Sequence, residues 1–472
     1  MTRATYHRKR FADTAAALSL ARTLLRHDRW TPAELEAYQH ERLAGLVARA
    51  RVASAFYRRL YADVGPDDQL ELGRLPVTGK AAVMEHFDEL VTDPRLTLRT
   101  VEAHLDGLTR DDLLFGEYRA TATGGSTGRK GIFVVDRAEW RQYLAAFFRW
   151  NHYIGLKPRL PRRVKLASIA ASRPLHMTYR MAVSVDVGLH RVLRLDATTP
   201  VGDLVEALNR YRPEFLYAYP SILGQLAAEQ LDGRLRIAPA IVASSGETHT
   251  DELRAAIRAA WGTSSFELYA MTEAGIIGSH CAEHAGIHLF EDLAVVEVVD
   301  QHDRPVPAGQ VGHKLLVTNL VMQTQPLLRY EVSDMVAVAP EPCPCGRPFR
   351  LLRGVEGRND DILHLPAAAG GEVAVHPLAL RSALAGIPGL DQYKVVHDDL
   401  GLHVRATLRP GARPDDTAGR IGRQLRAQLA SMGVSRPEVD VEVCDSLAGE
   451  RDGAGKFKLV EAGRRGRPVQ SG

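Results

Sequence analysis

Residues 121–131 read TATGGSTGRKG, a run in which Gly124, Gly125 and Gly128 stand among the hydroxyl side chains of Thr123, Ser126 and Thr127. That composition lets a loop bring backbone N–H groups and hydroxyls against phosphate oxygens, because no Cβ blocks the approach. No Lys-Ser/Thr pair follows the second glycine at the Walker distance, so a P-loop kinase or GTPase is disfavoured. Taken alone, the same cluster also describes an ordinary turn between strands. A second constellation is Cys343-Pro-Cys345-Gly-Arg, with Cys281 and His288 upstream in GSHCAEHAGIH. Three thiolates and an imidazole are the ligand set of a closed structural Zn²⁺ site. The Cys-x-Cys spacing is tighter than the common finger, and His284 competes with His288 for the fourth position. The plainer alternative is surface thiols and solvated histidines, with Cys444 buried in its strand.

The 472 residues that must position these groups exceed what one core serves, so two or more domains are expected. The 60 Lys+Arg against 57 Asp+Glu leave +3, too slight an excess to argue for nucleic acid, and no basic stripe interleaved with aromatics appears outside the termini. The basic start MTRATYHRKR with AAALSLARTLL reads as a surface helix, since Arg22 interrupts the apolar stretch and no small-residue cleavage pattern stands out. No run approaches the length of a membrane span, and four cysteines suggest no disulfide framework. The expected compartment is the cytoplasm.

Apolar positions at helical spacing in 32–62 and 80–90 predict a helical subregion over about residues 1–100. From Gly131 short apolar runs (GIFVVD, VKLASIAA, LHRVLRL, FLYAYP, AIVASS, SFELYA) alternate with amphipathic helices, which predicts an α/β domain with largely parallel sheets. LAVVEVVD, HKLLVTNL and MVAVA lack long helices between them and predict an antiparallel or β-barrel-like region. The large N-terminal domain, mixed sheets flanked by helices, spans 1–358; a small α+β domain spans 359–472 and ends in a tail, RRGRPVQSG, that reads as disordered.

Downstream of the glycine loop come ELYAMTEAG (267–275), RYEVSDM (329–335), EGRNDDI (356–362) and GAGKF (453–457). Five segments in this order resemble the adenylate-forming superfamily of acyl- and aryl-CoA synthetases, and within it the phenylacetate:CoA ligase branch, from about residue 75 to GAGKF. The resemblance implies that family's fold, with a mobile small C-terminal domain. It implies that loop 123–131 cradles the β- and γ-phosphates of ATP; the usual loop ends in Pro-Lys where this chain has Lys130-Gly131, so the lysine stands one residue early. It implies Tyr269 against adenine, Thr272 on the α-phosphate and Glu273 on Mg²⁺, with alanine at the motif's usual glycine. Asp334 is then the acceptor for the ribose hydroxyls, Val332 and Ser333 replacing the usual Thr-Gly. Arg358 lies near ribose and α-phosphate, Asp360 is the interdomain hinge, and Lys456 is the lysine brought onto the reacting carboxylate, with Lys458 as the fallback. Tyr219, Ser244 and Gly246 correspond to acyl-pocket walls. Some relatives resemble this chain in a Cys, a Gly-x-His and a Cys-Pro-x-Cys-Gly pattern, which implies structural Zn²⁺ on Cys281, His288, Cys343 and Cys345.

What the resemblance implies as function is an AMP-forming ligase that activates an organic acid, aromatic by family prior, and passes the acyl group to coenzyme A. An amine or an acyl carrier protein is an alternative acceptor, other chemistry on the activated acid a further one, and a homodimer is compatible. The rival from another class is a non-catalytic, zinc-stapled nucleotide- or protein-binding protein.

Overall fold

The computed structural model describes residues 2–65, 71–123, 130–158, 161–398, 401–409, 411–452 and 454–462. Gly124, Gly125, Ser126, Thr127 and Gly128, and the tail from 463, lie outside the described residues. The chain divides into two compact units: Met1–Val332 with Val336–Gly354 and Gly453–Gly455, and Ser333–Met335 with Val355–Asp452 and Lys456–Gly472.

The first unit opens with helices Arg3–His27, Pro32–Ala53, Ala55–Leu60, Lys80–Glu85, Phe87–Leu90 and Leu98–Asp106. Thr31 caps the second through a reciprocal box with Glu34, with Pro32 in the first turn where its missing N–H costs nothing. The stretch 80–90, read as one helix, breaks at His86 (φ −106°, ψ 25°), whose ring lies against Phe56. The first helix buries Ala17, Ala21 and Leu24 together with Asp13, which holds Arg137 and Arg141 at 2.8 Å each. It is therefore anchored to the interior along one face, beyond what its basic start suggests.

The main sheet of this unit carries, in spatial order, strands Ile287–Leu289, Gly275–His280, Ser265–Met271, Ile241–Ser245, Phe215–Ala218, Lys165–Ala170 and Arg191–Asp196. The five strands from Ser265–Met271 to Arg191–Asp196 are parallel, as the alternation with helices requires, and the Gly275–His280 and Ile287–Leu289 strands add antiparallel. Helices Arg137–Tyr153, Val201–Tyr211, Pro220–Leu231 and Asp251–Trp261 accompany it. Trp140, Trp150, Phe133, Phe215 and Phe290 are fully buried in the core. Ala294–Val299, Lys314–Asn319 and Tyr330–Val332 form a three-stranded antiparallel sheet. Consecutive strands joined without a crossover helix pair most readily in this way.

The second unit is α+β. Its sheet runs Val439–Val443, Gly401–Leu408, Leu390–Asp398, Val460–Ala462, with helices Pro377–Leu384 and Pro414–Ser431 and a hairpin Leu363–Pro366/Glu372–Val375. Leu363, Leu380, Val395, Val404, Ile421, Leu425 and Leu429 form a core of its own.

Candidate active site and a cysteine cluster

The glycine loop hangs from a hairpin. Strand Arg119–Ala122 pairs antiparallel with Ile132–Val135, and at its neck the Thr123 N–H donates to the Gly131 carbonyl (2.9 Å) while the Gly131 N–H donates to the Thr123 hydroxyl (2.8 Å). Thr123 Oγ thus uses one lone pair to close the neck and keeps its own proton for an acceptor oxygen. A side-chain carbon on Gly131 would fall 2.9 Å from the Phe133 ring, so the position admits no side chain without a shift. Lys130 is exposed.

The parallel register brings three predicted positions to one edge. Tyr219, Ser244 to Gly246, and Tyr269 to Met271 all stand at the carboxyl ends of adjacent strands, where open α/β sheets bind ligands. Two of them are internally engaged. Tyr219 is buried and its hydroxyl accepts from the Ala171 N–H (3.1 Å), and Ser244 Oγ lies 2.7 Å from His249 Nδ1. The far nitrogen of His249 meets Ser265 Oγ at 2.9 Å, so one imidazole bridges two strands. Burial, with Arg254 and His280 nearby, pushes His249 down to about 3 and keeps it neutral. Sequence reading missed this residue; its only local signal is a histidine just beyond a strand end.

Between Tyr269 and Ala270 the pairing with the next strand shifts register, a bulge that re-aims the side chains of the ELYAMTEAG segment. Thr272 and Glu273 follow in the turn, which closes at Gly275 (φ +71°). A Cβ on Gly275 would meet three ring atoms of Tyr143 at 3.0–3.2 Å, so this turn lies flat on that ring. Asn319 Nδ2 donates to the Tyr143 hydroxyl (3.0 Å) and reaches the Glu273 carbonyl (3.5 Å), while its Oδ1 accepts from the N–H groups of Val321 (2.9 Å) and Met322 (3.2 Å). Burial raises the Tyr143 and Tyr330 hydroxyls far above their usual range, and the Glu273 charge adds to both. An anionic carboxylate oxygen on a fixed turn suits Mg²⁺.

In the second unit Arg358 Nε donates to Asp334 Oδ1 (3.1 Å), and the Asn359 N–H donates to the Ser333 carbonyl (2.7 Å). Two residues given separate roles from sequence are thus an ion pair. Asp360 lies in a 3₁₀ turn, Asn359–Asp361. Asp361 holds Lys458 Nζ at 2.5 Å. Lys456 stands in a closed turn: its N–H donates to Asp452 Oδ1 (2.9 Å), and the Asp452 N–H donates to its carbonyl (2.8 Å).

Cys281, His288, Cys343 and Cys345 bring one ligand atom each to within 4.8 Å of one another. Tetrahedral Zn²⁺, with Zn–S near 2.3 Å and Zn–N near 2.0–2.1 Å, has S···S edges of about 3.8 Å and S···N edges of about 3.5 Å. The Cys281 and Cys343 sulfurs are 3.7 Å apart, and Cys345 Sγ is 3.5 Å from His288 Nε2. Burial pushes His288 down to about 4, a neutral imidazole, and Cys343 up to about 12; Cys281 is raised likewise. Burial also acts upward on Cys345, but hydrogen bonds from Arg347 hold it below the ordinary thiol range. His284 lies elsewhere, in the turn at φ +51° with its ring 4.5 Å from that of Phe266. Cys444 belongs to the second unit.

Residues 37–324 match the family model described as AMP-binding enzyme. Among characterised proteins the chain is similar to a phenylacetate-coenzyme A ligase of Thermus thermophilus, 26% identical over 387 residues that cover 77% of this chain and 78% of the relative. One from Aromatoleum evansii is 24% identical over 462 residues, 90% and 94% of the two chains. Among solved structures, a 2-hydroxyisobutyryl-CoA ligase in the postadenylation state superposes with a TM-score of 0.73 over 93% of this chain and 91% of that one at 21% identity, a likeness of fold. No helix among the described residues is long and apolar enough to cross a membrane.

Proposed function

This chain belongs to the AMP-binding enzyme family, and from that premise we propose that it is an AMP-forming acid:coenzyme A ligase acting on an organic, and specifically an aromatic, carboxylic acid. The family match together with the order of the five motifs carries the reading. The Tyr143-backed turn that holds Thr272 and Glu273 supports it.

A carboxylate is a poor electrophile because its charge is shared by two oxygens, so one oxygen must first become part of a leaving group. Attack of the acid on the α-phosphorus of ATP expels pyrophosphate and leaves an acyl-adenylate; the coenzyme A thiol, losing its proton, then displaces AMP. Bound Mg²⁺, which Glu273 would hold, neutralises phosphate charge. The glycine loop, with Thr123, binds the departing pyrophosphate through N–H and hydroxyl donors. Tyr269 stacks on adenine, and Asp334, steadied by Arg358, accepts from the ribose hydroxyls. Thr272 binds the α-phosphate, and Lys456 places a compact ammonium on the charge developing there. Lys456, in the register of the family's GAGKF-like motif, is the candidate, and Lys458 is engaged by Asp361. Asp360 is the point about which the chain turns between half-reactions. The cysteine cluster binds a structural Zn²⁺ and has no part in the chemistry.

The test is carboxylate-dependent ATP–pyrophosphate exchange across aromatic and aliphatic acids, followed by AMP release with and without coenzyme A. Exchange with aromatic acids, and AMP release that requires the thiol, are expected. AMP release indifferent to coenzyme A, or ADP as product, would remove the assignment. Lys456→Ala should abolish exchange while leaving ATP binding in place; unchanged exchange would remove that lysine from the mechanism.

A further inference from the structure

The segment Thr78–Met84 is clamped between two of the motif regions. On one side the Thr78 N–H donates to the Arg329 carbonyl (3.1 Å), the Thr78 hydroxyl donates to the Leu328 carbonyl (3.1 Å), and the Glu331 N–H donates to the Thr78 carbonyl (2.8 Å). On the other, the Ile132 N–H lies 3.3 Å from the Met84 sulfur. The first anchor leads directly into the RYEVSDM strand, and the second adjoins the neck of the glycine loop. Lys80 sits between them at the start of helix Lys80–Glu85. Its Cε lies 3.4 Å from where a side-chain carbon on Gly131 would project. Gly131 could carry a side chain there only if the Phe133 ring shifted, because the same carbon would fall 2.9 Å from it. The loop's own lysine, Lys130, is exposed and stands one residue early.

We infer that Lys80 is a further ATP-binding residue, its ammonium contacting the β- and γ-phosphates, and later pyrophosphate, at the neck of the glycine loop. The inference rests on the ATP-dependent reading above. The loop's own cations, Arg129 and Lys130, come only at its end, and an ammonium from Lys80 adds a compact point charge with three donors at the neck. The clamp on both sides of Lys80 fixes where its stem begins, so little order has to be gained when the anion arrives.

Equilibrium binding of ATP, pyrophosphate and AMP by titration calorimetry separates the possibilities, with wild type, Lys80→Ala, Lys80→Arg and Lys130→Ala. Loss of a charge-assisted contact should weaken ATP and pyrophosphate by about tenfold or more in Lys80→Ala. AMP, which lacks the outer phosphates, should bind as in wild type and so reports that the variant is folded. Lys80→Arg should recover part of the loss. Wild type that binds ATP, with Lys80→Ala binding it as tightly, overturns the Lys80 assignment alone. The same holds if AMP affinity falls in step with ATP, or if Lys130→Ala alone shows the triphosphate-specific loss. Wild type that binds neither ATP nor AMP overturns the ligase reading and this inference with it.

Discussion

Replacing Cys343 by serine removes one of four ligands from a cluster joining residues far apart in sequence. Cys281 and Cys343 are 62 positions apart, and the segment around Cys343 and Cys345 has no helix or strand of its own to hold it. A metal that ties these points closes a loop of that length in the folded chain. Taking the chain-entropy estimate used for covalent cross-links as a guide, closing roughly 60 residues is worth about 4 kcal/mol. The first unit has roughly 350 residues, so its unfolding entropy turns that loss into a fall in thermal midpoint of about 5 °C. Metal analysis of the purified protein should find about one equivalent of zinc in wild type and in Cys444→Ser, and almost none in Cys343→Ser. A chelator should lower the wild-type midpoint toward that of Cys343→Ser and leave the variant unmoved. Wild type without zinc, or chelator and substitution acting additively, would falsify the metal assignment.

Gly275→Ala forces a Cβ to within 3.0–3.2 Å of the Tyr143 ring at φ +71°, which strain and overpacking make about 2–4 kcal/mol unfavourable. The Thr272–Glu273 turn must then shift, and exchange activity should fall by about a hundredfold; wild-type kinetics in this variant would detach the turn from catalysis. Asp292→Ala leaves the fully buried Arg149 without its two-point partner at 2.6 and 2.8 Å, a loss of about 3–5 kcal/mol in urea unfolding. A change under about 1 kcal/mol would mean that Asp28 and backbone carbonyls suffice. His249 has a folded pKa lowered from 6.5 to about 3, so its neutral form adds full stability above pH 6.5, and that stability is lost as pH falls toward 3. At pH 5 the contribution has dropped by about 2 kcal/mol. His249→Asn should flatten the difference in urea midpoint between pH 7 and pH 5, and an unchanged slope would place the acid sensitivity elsewhere.

The alternation of apolar runs and amphipathic helices carried the parallel sheet for five of its six runs, because each strand and helix there is set by its own local pattern; GIFVVD instead pairs antiparallel with Arg119–Ala122 in a separate hairpin. Helices Pro220–Leu231 and Pro414–Ser431 each begin on a proline, whose missing N–H costs nothing in the first turn. The fourth cluster ligand could not be decided from composition: His288 lies on a strand paired with Leu351, beside the Cys343 and Cys345 segment, while His284 turns away into a left-handed position. What stayed hidden were pairings between side chains distant in sequence. Asp334 with Arg358, Lys458 with Asp361, and Asn319 with Tyr143 each depend on two segments meeting, and neither partner's neighbours announce the other. The Ser244–His249–Ser265 bridge has the same character, since a histidine acquires that meaning only when two strands lie side by side. Buried Asp13 was equally illegible amid the basic residues that open the chain.

Arg149 sets the practical boundary of the first unit. Its guanidinium, wholly out of water, draws on the carbonyl of Leu24 and the carboxylate of Asp28 as well as on Asp292, whose other contact is His27. The region matched by the family begins at residue 37. A protein trimmed to that recognisable segment would keep the Arg149–Asp292 pair but discard three of the groups that complete its hydrogen bonding, leaving a buried ion pair only partly satisfied. Expression work should therefore keep the opening helix, and the folding unit is larger than the segment by which its kinship is recognised.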